Sequence, residues 1–365
     1  MFFYLCIFFL STLLVYVGTR SRGAQRNIII LLALLIPALV ATYRGFSVGA
    51  DTQNYYDRYH QFISADGLKA MIAVLDTEFF FIAGCFVAKI IGGYRLVFFS
   101  YSFLTLLFSF LALYKYRRYV CVWLGYALFL FFFYQASLNI MRQILAVAYI
   151  LYCTTFLLDG HKKKFFVLAA LSVLFHLTAI IAAGAIYLIY LISSLPDKKR
   201  RKAFKLYFLS MFLGFFLVDI VIRYLASVNF GNSYAYTSDE GNSMISATDL
   251  MYSLIFIYVS YTSMKRHTVS VISPEFFYLS SVTCLMFFMT GYYNQWLSRM
   301  AYYMMAFACL YFAMIVKSPK IRKERKIYKL AFLSLGMAYW FYLFVYSGAT
   351  ITIPYSTMGG LSFNF

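Results

Sequence analysis

The chain has 365 residues, 63% hydrophobic, 22% aromatic and 12% charged, with a formal net charge of +19. Soluble domains carry about 25% charged residues, so this composition excludes a soluble enzyme and describes a polytopic membrane protein. Nucleic-acid binding is argued against by where the charge sits: all but eight of the 32 Lys and Arg fall into six clusters between apolar runs, the positive-inside mark of cytoplasmic linkers.

Those clusters are Arg20–Arg26, Lys115–Arg118, Lys162–Lys164, Lys198–Lys205, Lys265–Arg266 and Lys317–Lys329. With all six on the cytoplasmic side, every segment between them must return to that side. Residues 1–19 form the first span, without the pattern of a removed signal peptide, and Asn27–Tyr43 goes back out. Arg44–Thr77 is then an external segment. In it Asp51 caps an amphipathic helix, whose Tyr55, Tyr59 and Phe62 share one face in an interfacial pattern. The run Phe79–Ile91 carries Lys89 and ends at Gly92-Gly93; at about 13 residues it is too short to span comfortably and is expected to be interfacial or re-entrant.

Leu96–Tyr114 crosses inward, Tyr119–Gln135 outward and Ile140–Leu158 inward again, which leaves the turn holding Asn139 and Arg142 external. Phe165–Ser194 is predicted to be a hairpin of short or broken helices with His176 and Thr178 near its tip. Phe204–Tyr224 leads to an external loop over residues 226–248 containing Asp239 and Glu240. Leu250–Met264, Val271–Tyr292, Met300–Val316 and Leu330–Tyr346 then alternate, and Ser347–Phe365 is a short external tail. The expected fold is all-α, a single polytopic membrane domain over residues 1–365 with about 12 transmembrane helices of ~20 residues each plus the interfacial helix. Six cysteines, each alone in apolar surroundings, read as packing residues rather than disulfides or metal ligands.

The eight basic residues outside the clusters are Arg44, Arg58, Lys69, Lys89, Arg95, Arg142, Arg223 and Arg299, and this topology puts them all at the external side. Arg223 follows Asp219 by one helical turn, a local pair. Arg44, Arg142 and Arg299 each stand where an apolar span meets a polar external turn. Ionisable groups so placed usually face a wet cavity or an anion, and three guanidinium forks would make a cradle for phosphate oxygens. His176 is a histidine in a long apolar run, either a hydrogen-bonded structural residue or a general base. Asp51 is either a helix cap or a group that orients an arginine or takes a hydroxyl proton. No H-E-x-x-H, P-loop or acidic metal cluster occurs.

Arg44-Gly-Phe-Ser-Val-Gly49-Ala-Asp51-Thr-Gln-Asn-Tyr55 resembles the first external signature of the EpsG family of bacterial polysaccharide polymerases, relatives of the Wzy polymerases. Asn139-Ile-Met-Arg142-Gln143-Ile-Leu-Ala146, followed by Phe175-His176-Leu-Thr-Ala179, is similar to the family's central motifs, and Ser298-Arg299-Met-Ala-Tyr302-Tyr303 to a shorter late one. The resemblance implies a GT-C-like membrane glycosyltransferase of the bacterial cytoplasmic membrane, with its active site on the outer face. A glycan would pass from undecaprenyl pyrophosphate to a second lipid-linked repeat unit, with neither metal nor other cofactor, alongside a possible chain-length-regulating co-polymerase. Arg44, Arg142 and Arg299, with Asn139, Gln143, Tyr55 and Tyr302, would hold pyrophosphate and sugar, and His176 or Asp51 would serve as base. The alternatives are a lipid-linked oligosaccharide flippase, which needs charged groups along a whole transbilayer path, and an O-antigen ligase sharing an outward-facing site.

Overall fold

A computed structural model describes residues 1–65, 78–227, 246–266, 268–269, 271–293, 295–357 and 362–363. Lys69, most of the 226–248 loop with Asp239 and Glu240, and His267 lie outside these residues, as do the side chains of Asp219 and Arg223. The described chain is helical apart from a two-residue antiparallel pairing of β1 (Tyr355–Ser356) with β2 (Ser362–Phe363). It divides into two compact units, one of residues 1–180 and 312–365, the other of residues 181–311.

The first unit contains α1 (Phe2–Gly18), α2 (Gly23–Thr42), α3 (Thr52–Ser64), α4 (Phe79–Ile91), α5 (Arg95–Lys115), α6 (Val122–Asn139), α7 (Met141–Leu158) and α8 (Lys162–Leu171). α9 (Ala179–Ser193) leads out of it, and after α14 (Ala301–Lys317) the chain returns with α15 (Arg325–Tyr346). Five described helices, α2, α5, α6, α7 and α15, are long and apolar enough to cross a membrane, and α1, α4, α9 and α14 are shorter apolar helices. Burial ranks them: 83% of the α6 window and 78% of the α7 window are buried, against 33% for α2 and α15. The two helices that flank Arg142 are therefore the centre of the unit, and the others surround them.

Backbone irregularities in these helices are answered by named side chains, as an apolar surrounding requires. Pro37 in α2 has no N–H for the carbonyl of Ala33, and Ser11 Oγ of α1 donates to that carbonyl at 2.6 Å. The Pro37 carbonyl itself accepts from Tyr134 at 2.7 Å. In α6 a π-helical turn over Leu130–Tyr134 precedes the residues of the candidate site, a common place for such turns.

The C-terminal segment is not a free tail. Tyr4 donates to the Thr352 carbonyl (2.9 Å), Gly45 N to Ser356 O (2.7 Å) and Gly49 N to Ile351 O (2.8 Å), while Tyr355 stacks on Phe3 at 4.5 Å. Residues 350–357 thus clamp the loop that begins at Arg44. Gly49 turns this loop at φ 91°, and a Cβ there would lie 2.7 Å from the Leu138 carbonyl oxygen. Gly49→Ala is expected to destabilise the protein by about 1–3 kcal/mol, read as a lowered thermal midpoint in detergent. Gly214→Ala, where an added methyl meets nothing, is the control.

In the second unit α10 (Asp197–Ser227) is one helix, followed by α11 (Ala247–Lys265), α12 (Pro274–Met289) and the short α13 (Gln295–Ser298). The basic run Lys198–Lys205, expected in a linker, forms the first turns of α10. Arg200 reaches Glu275 at 3.0 Å and also pairs with Asp197, so part of that charge is held locally.

Candidate active site

Four segments remote in sequence meet in the first unit: the start of α3, the residue before α4, the first turn of α7 and the break between α8 and α9. Ile140, at φ −93° and ψ 56°, leaves the helical region; this ends α6 and restarts the chain as α7 with Arg142 as its second residue. Arg142 Nη1 donates to Glu78 Oε2. The other oxygen of the same carboxylate, Oε1, is 2.6 Å from His176 Nδ1. Glu78 occupies the N-cap position of α4 but makes no side-chain cap bond, its two oxygens being committed to these partners. The Glu78 and His176 side chains are 11% exposed and Arg142 is 23% exposed, so the cluster is sheltered without being sealed.

His176 is where the sequence placed it, in a break. α8 ends at Leu171, a 3-10 turn covers Ser172–Leu174, and the His176 amide closes on the Ser172 carbonyl at 3.0 Å. The preceding Phe175 wedges edge-on against Phe80 (4.9 Å) and Tyr149 (5.0 Å), which holds the next residue against Glu78. Beneath lies an apolar cluster including Phe62, Phe81, Val97, Phe98, Met141 and Leu145. Tyr55, Tyr59 and Phe62 belong to this core. The interfacial face expected of α3 packs on protein instead, because α4 and α5 supply an apolar surface for it.

Tyr55 lies beside Arg142, with its ring centroid 5.8 Å from the guanidinium carbon and its hydroxyl hydrogen-bonded to that group. Asn139 Oδ1 accepts the Asp51 amide at 2.8 Å, tying the Arg44 loop to the α6–α7 turn, and Gln143 is buried one residue beyond Arg142. Asp51 holds the N-cap position of α3, but the expected side-chain cap is absent. Its backbone, at φ −89° and ψ −3°, is already helical, whereas a capping side chain needs an extended residue to reach the amides of the first turn.

Arg44 is fully buried. Its Nε donates to Thr52 Oγ1 (3.1 Å), Nη1 to the Ala41 carbonyl (2.5 Å), and its guanidinium carbon sits 4.3 Å from the Phe98 ring centroid. Nη2 has no hydrogen-bond partner among the described residues. Burial brings this guanidinium down to about 10, which leaves it protonated at neutral pH. Arg44 and Arg142 both lie within electrostatic reach of Tyr55. Arg299 belongs to the other unit, where it and the buried Asp249 of α11 act on Tyr302 of α14.

Two residues of the cluster were missed by the sequence reading. Glu78 stands directly before an apolar helix, and a census of isolated acids, parallel to that of isolated bases, would have found it. Tyr101 of α5 is fully buried within reach of Arg142 and Glu78, and its hydroxyl has no hydrogen-bond partner among the described residues. One tyrosine among 35 carries no such signal. No group of three His, Cys, Asp or Glu suited to a metal occurs among the described residues.

The EpsG family model matches residues 27–357, a stretch that contains every residue of this cluster. The chain belongs to the EpsG family. No curated protein and no solved structure matches it. Membership gives this EpsG-family chain a polysaccharide-polymerase type of role, and its apolar helices place it in a membrane.

Proposed function

We propose that this EpsG-family chain is a membrane glycosyltransferase that lengthens a polysaccharide, moving a glycan from undecaprenyl pyrophosphate to a sugar hydroxyl of another lipid-linked repeat unit. The reaction belongs to the outer face of the cytoplasmic membrane, in one polytopic domain of about 12 spans with GT-C-like architecture. The acceptor oxygen bonds to the anomeric carbon as the bond from that carbon to the diphosphate oxygen breaks. The hydroxyl proton goes to His176 and the electron pair leaves on the diphosphate.

The single observation that supports this most directly is the Glu78 carboxylate bridging Arg142 and His176. A carboxylate on Nδ1 fixes the imidazole's tautomer and orientation and stabilises the imidazolium that forms, leaving Nε2 to take a proton. It favours His176 over Asp51 as the base. Arg142 stands at the positive end of the α7 dipole, where an anion is stabilised, and its planar guanidinium fork matches the geometry of phosphate oxygens. Arg142 takes the departing diphosphate, with Tyr55, Asn139 and Gln143 beside it. Arg44 supports the loop around them, through its bonds to Thr52 and the Ala41 carbonyl. A co-polymerase that regulates chain length is the protein partner in this scheme.

Purified full-length protein supplied only with lipid-linked repeat units is expected to yield a polymer ladder. Absence of polymer until a different acceptor is added would transfer the assignment to a ligase. Loss of outer-leaflet repeat units in a deletion strain would transfer it to a flippase.

A further inference from the structure

At the far end of α7 from Arg142, about 24 Å away at 1.5 Å per residue, is a cavity of about 590 Å³ lined by Lys115, Phe156, Asp159, Lys162, Lys163 and Lys164 among others. Four ammonium groups and one carboxylate occur among the described lining residues. Asp159 is already engaged, accepting from Tyr116 at 2.6 Å and pairing with Lys115 at 2.7 Å. The Phe156 ring brings like charges together: Lys115 Nζ lies 3.7 Å and Lys164 Nζ 4.1 Å from its centroid. Two ammonium groups sharing one ring repel each other, and a single carboxylate neutralises only one of them. Lys162–Lys164 also form the first turn of the ten-residue α8, whose N-cap residue His161 makes no side-chain cap bond, so the positive end of that helix faces the same place.

We propose that this cavity binds an anionic phosphate group, since flexible ammonium groups around a helix N-terminus are a general phosphate receptor. It is a second anion site, at the lysine-rich end of the bundle and independent of the glycan-transfer reading. The source is either an anionic phospholipid headgroup or a soluble diphosphate. Phe166 and Val167 are exposed on α8 next to the cavity, an apolar flank suited to acyl chains.

Full-length protein in an uncharged detergent would be titrated with dioleoyl phosphatidylglycerol, dioleoyl phosphatidylcholine and sodium pyrophosphate, with retention read by native mass spectrometry. Retention of phosphatidylglycerol at least ten-fold more tightly than phosphatidylcholine supports the site with a lipid source. Retention of pyrophosphate alone supports it with a soluble one. In either case the double variant Lys163→Ala, Lys164→Ala, both exposed positions, should weaken binding at least ten-fold, with an unchanged thermal midpoint showing that it is folded. The double variant Lys323→Ala, Lys326→Ala, which removes equal charge outside the cavity, should not. Equal loss in both variants, or retention of neither anion by the unmodified protein, overturns the proposal.

Discussion

Replacing Arg142 with alanine is expected to abolish polymer while lipid-linked single units accumulate at normal protein level, a fall of about 10²–10³ in rate, the scale on which one oxyanion donor acts. The guanidinium is the positively charged member of the sheltered cluster, bonded to Glu78 and Tyr55, and a diphosphate gains negative charge as the glycan departs. Arg142→Lys keeps the charge and loses the planar fork, so its rate should fall between the two. The variant must be compared at matched abundance, because removing one partner of a sheltered ion pair can cost about 3–5 kcal/mol. Long polymer persisting in an Arg142→Ala strain would refute the assignment.

Glu78→Gln is expected to slow polymerisation by about 10²–10⁴, the range of positioned acid–base catalysis, although it changes the side chain's shape hardly at all. The amide keeps one oxygen and loses the charge that stabilises the imidazolium. His176→Ala should cost a comparable factor. Because both act through one proton transfer, the double variant should be little worse than the more severe single variant. The pH profile separates this from a packing effect: the limb of the rate profile that reports the general base in the unmodified protein should be missing in His176→Ala. Multiplicative losses with an unchanged profile would show the pair to be structural.

Several elements of this protein are legible in the order of its residues. Hydropathy locates the helices, and the run Phe79–Ile91 coincides with α4. The apolar flanks of Arg142 and the helix break at His176 are visible because an ion or a lone imidazole in such surroundings is costly enough to stand out. Other features leave no local trace. Tyr101 is one of 35 tyrosines, and the C-terminal residues 350–357 read as tail because their bonds to Tyr4, Gly45 and Gly49 join residues hundreds of positions apart.

Charge spacing and apolar run length sufficed to define a helical membrane protein and two of the three members of its central cluster, since burial cost is written into each residue's immediate neighbours. The third, Glu78, is marked in the sequence only as an isolated acid before an apolar helix, and packing chose its partners. Glu78 joined Arg142 and His176 because four distant segments converge there, and the same convergence gave Arg44 a buried post against Thr52 and Phe98. Which oxygen meets which nitrogen depends on how separate helices dock, and that is a property of surfaces assembled across the chain, with no counterpart in the order of residues along it.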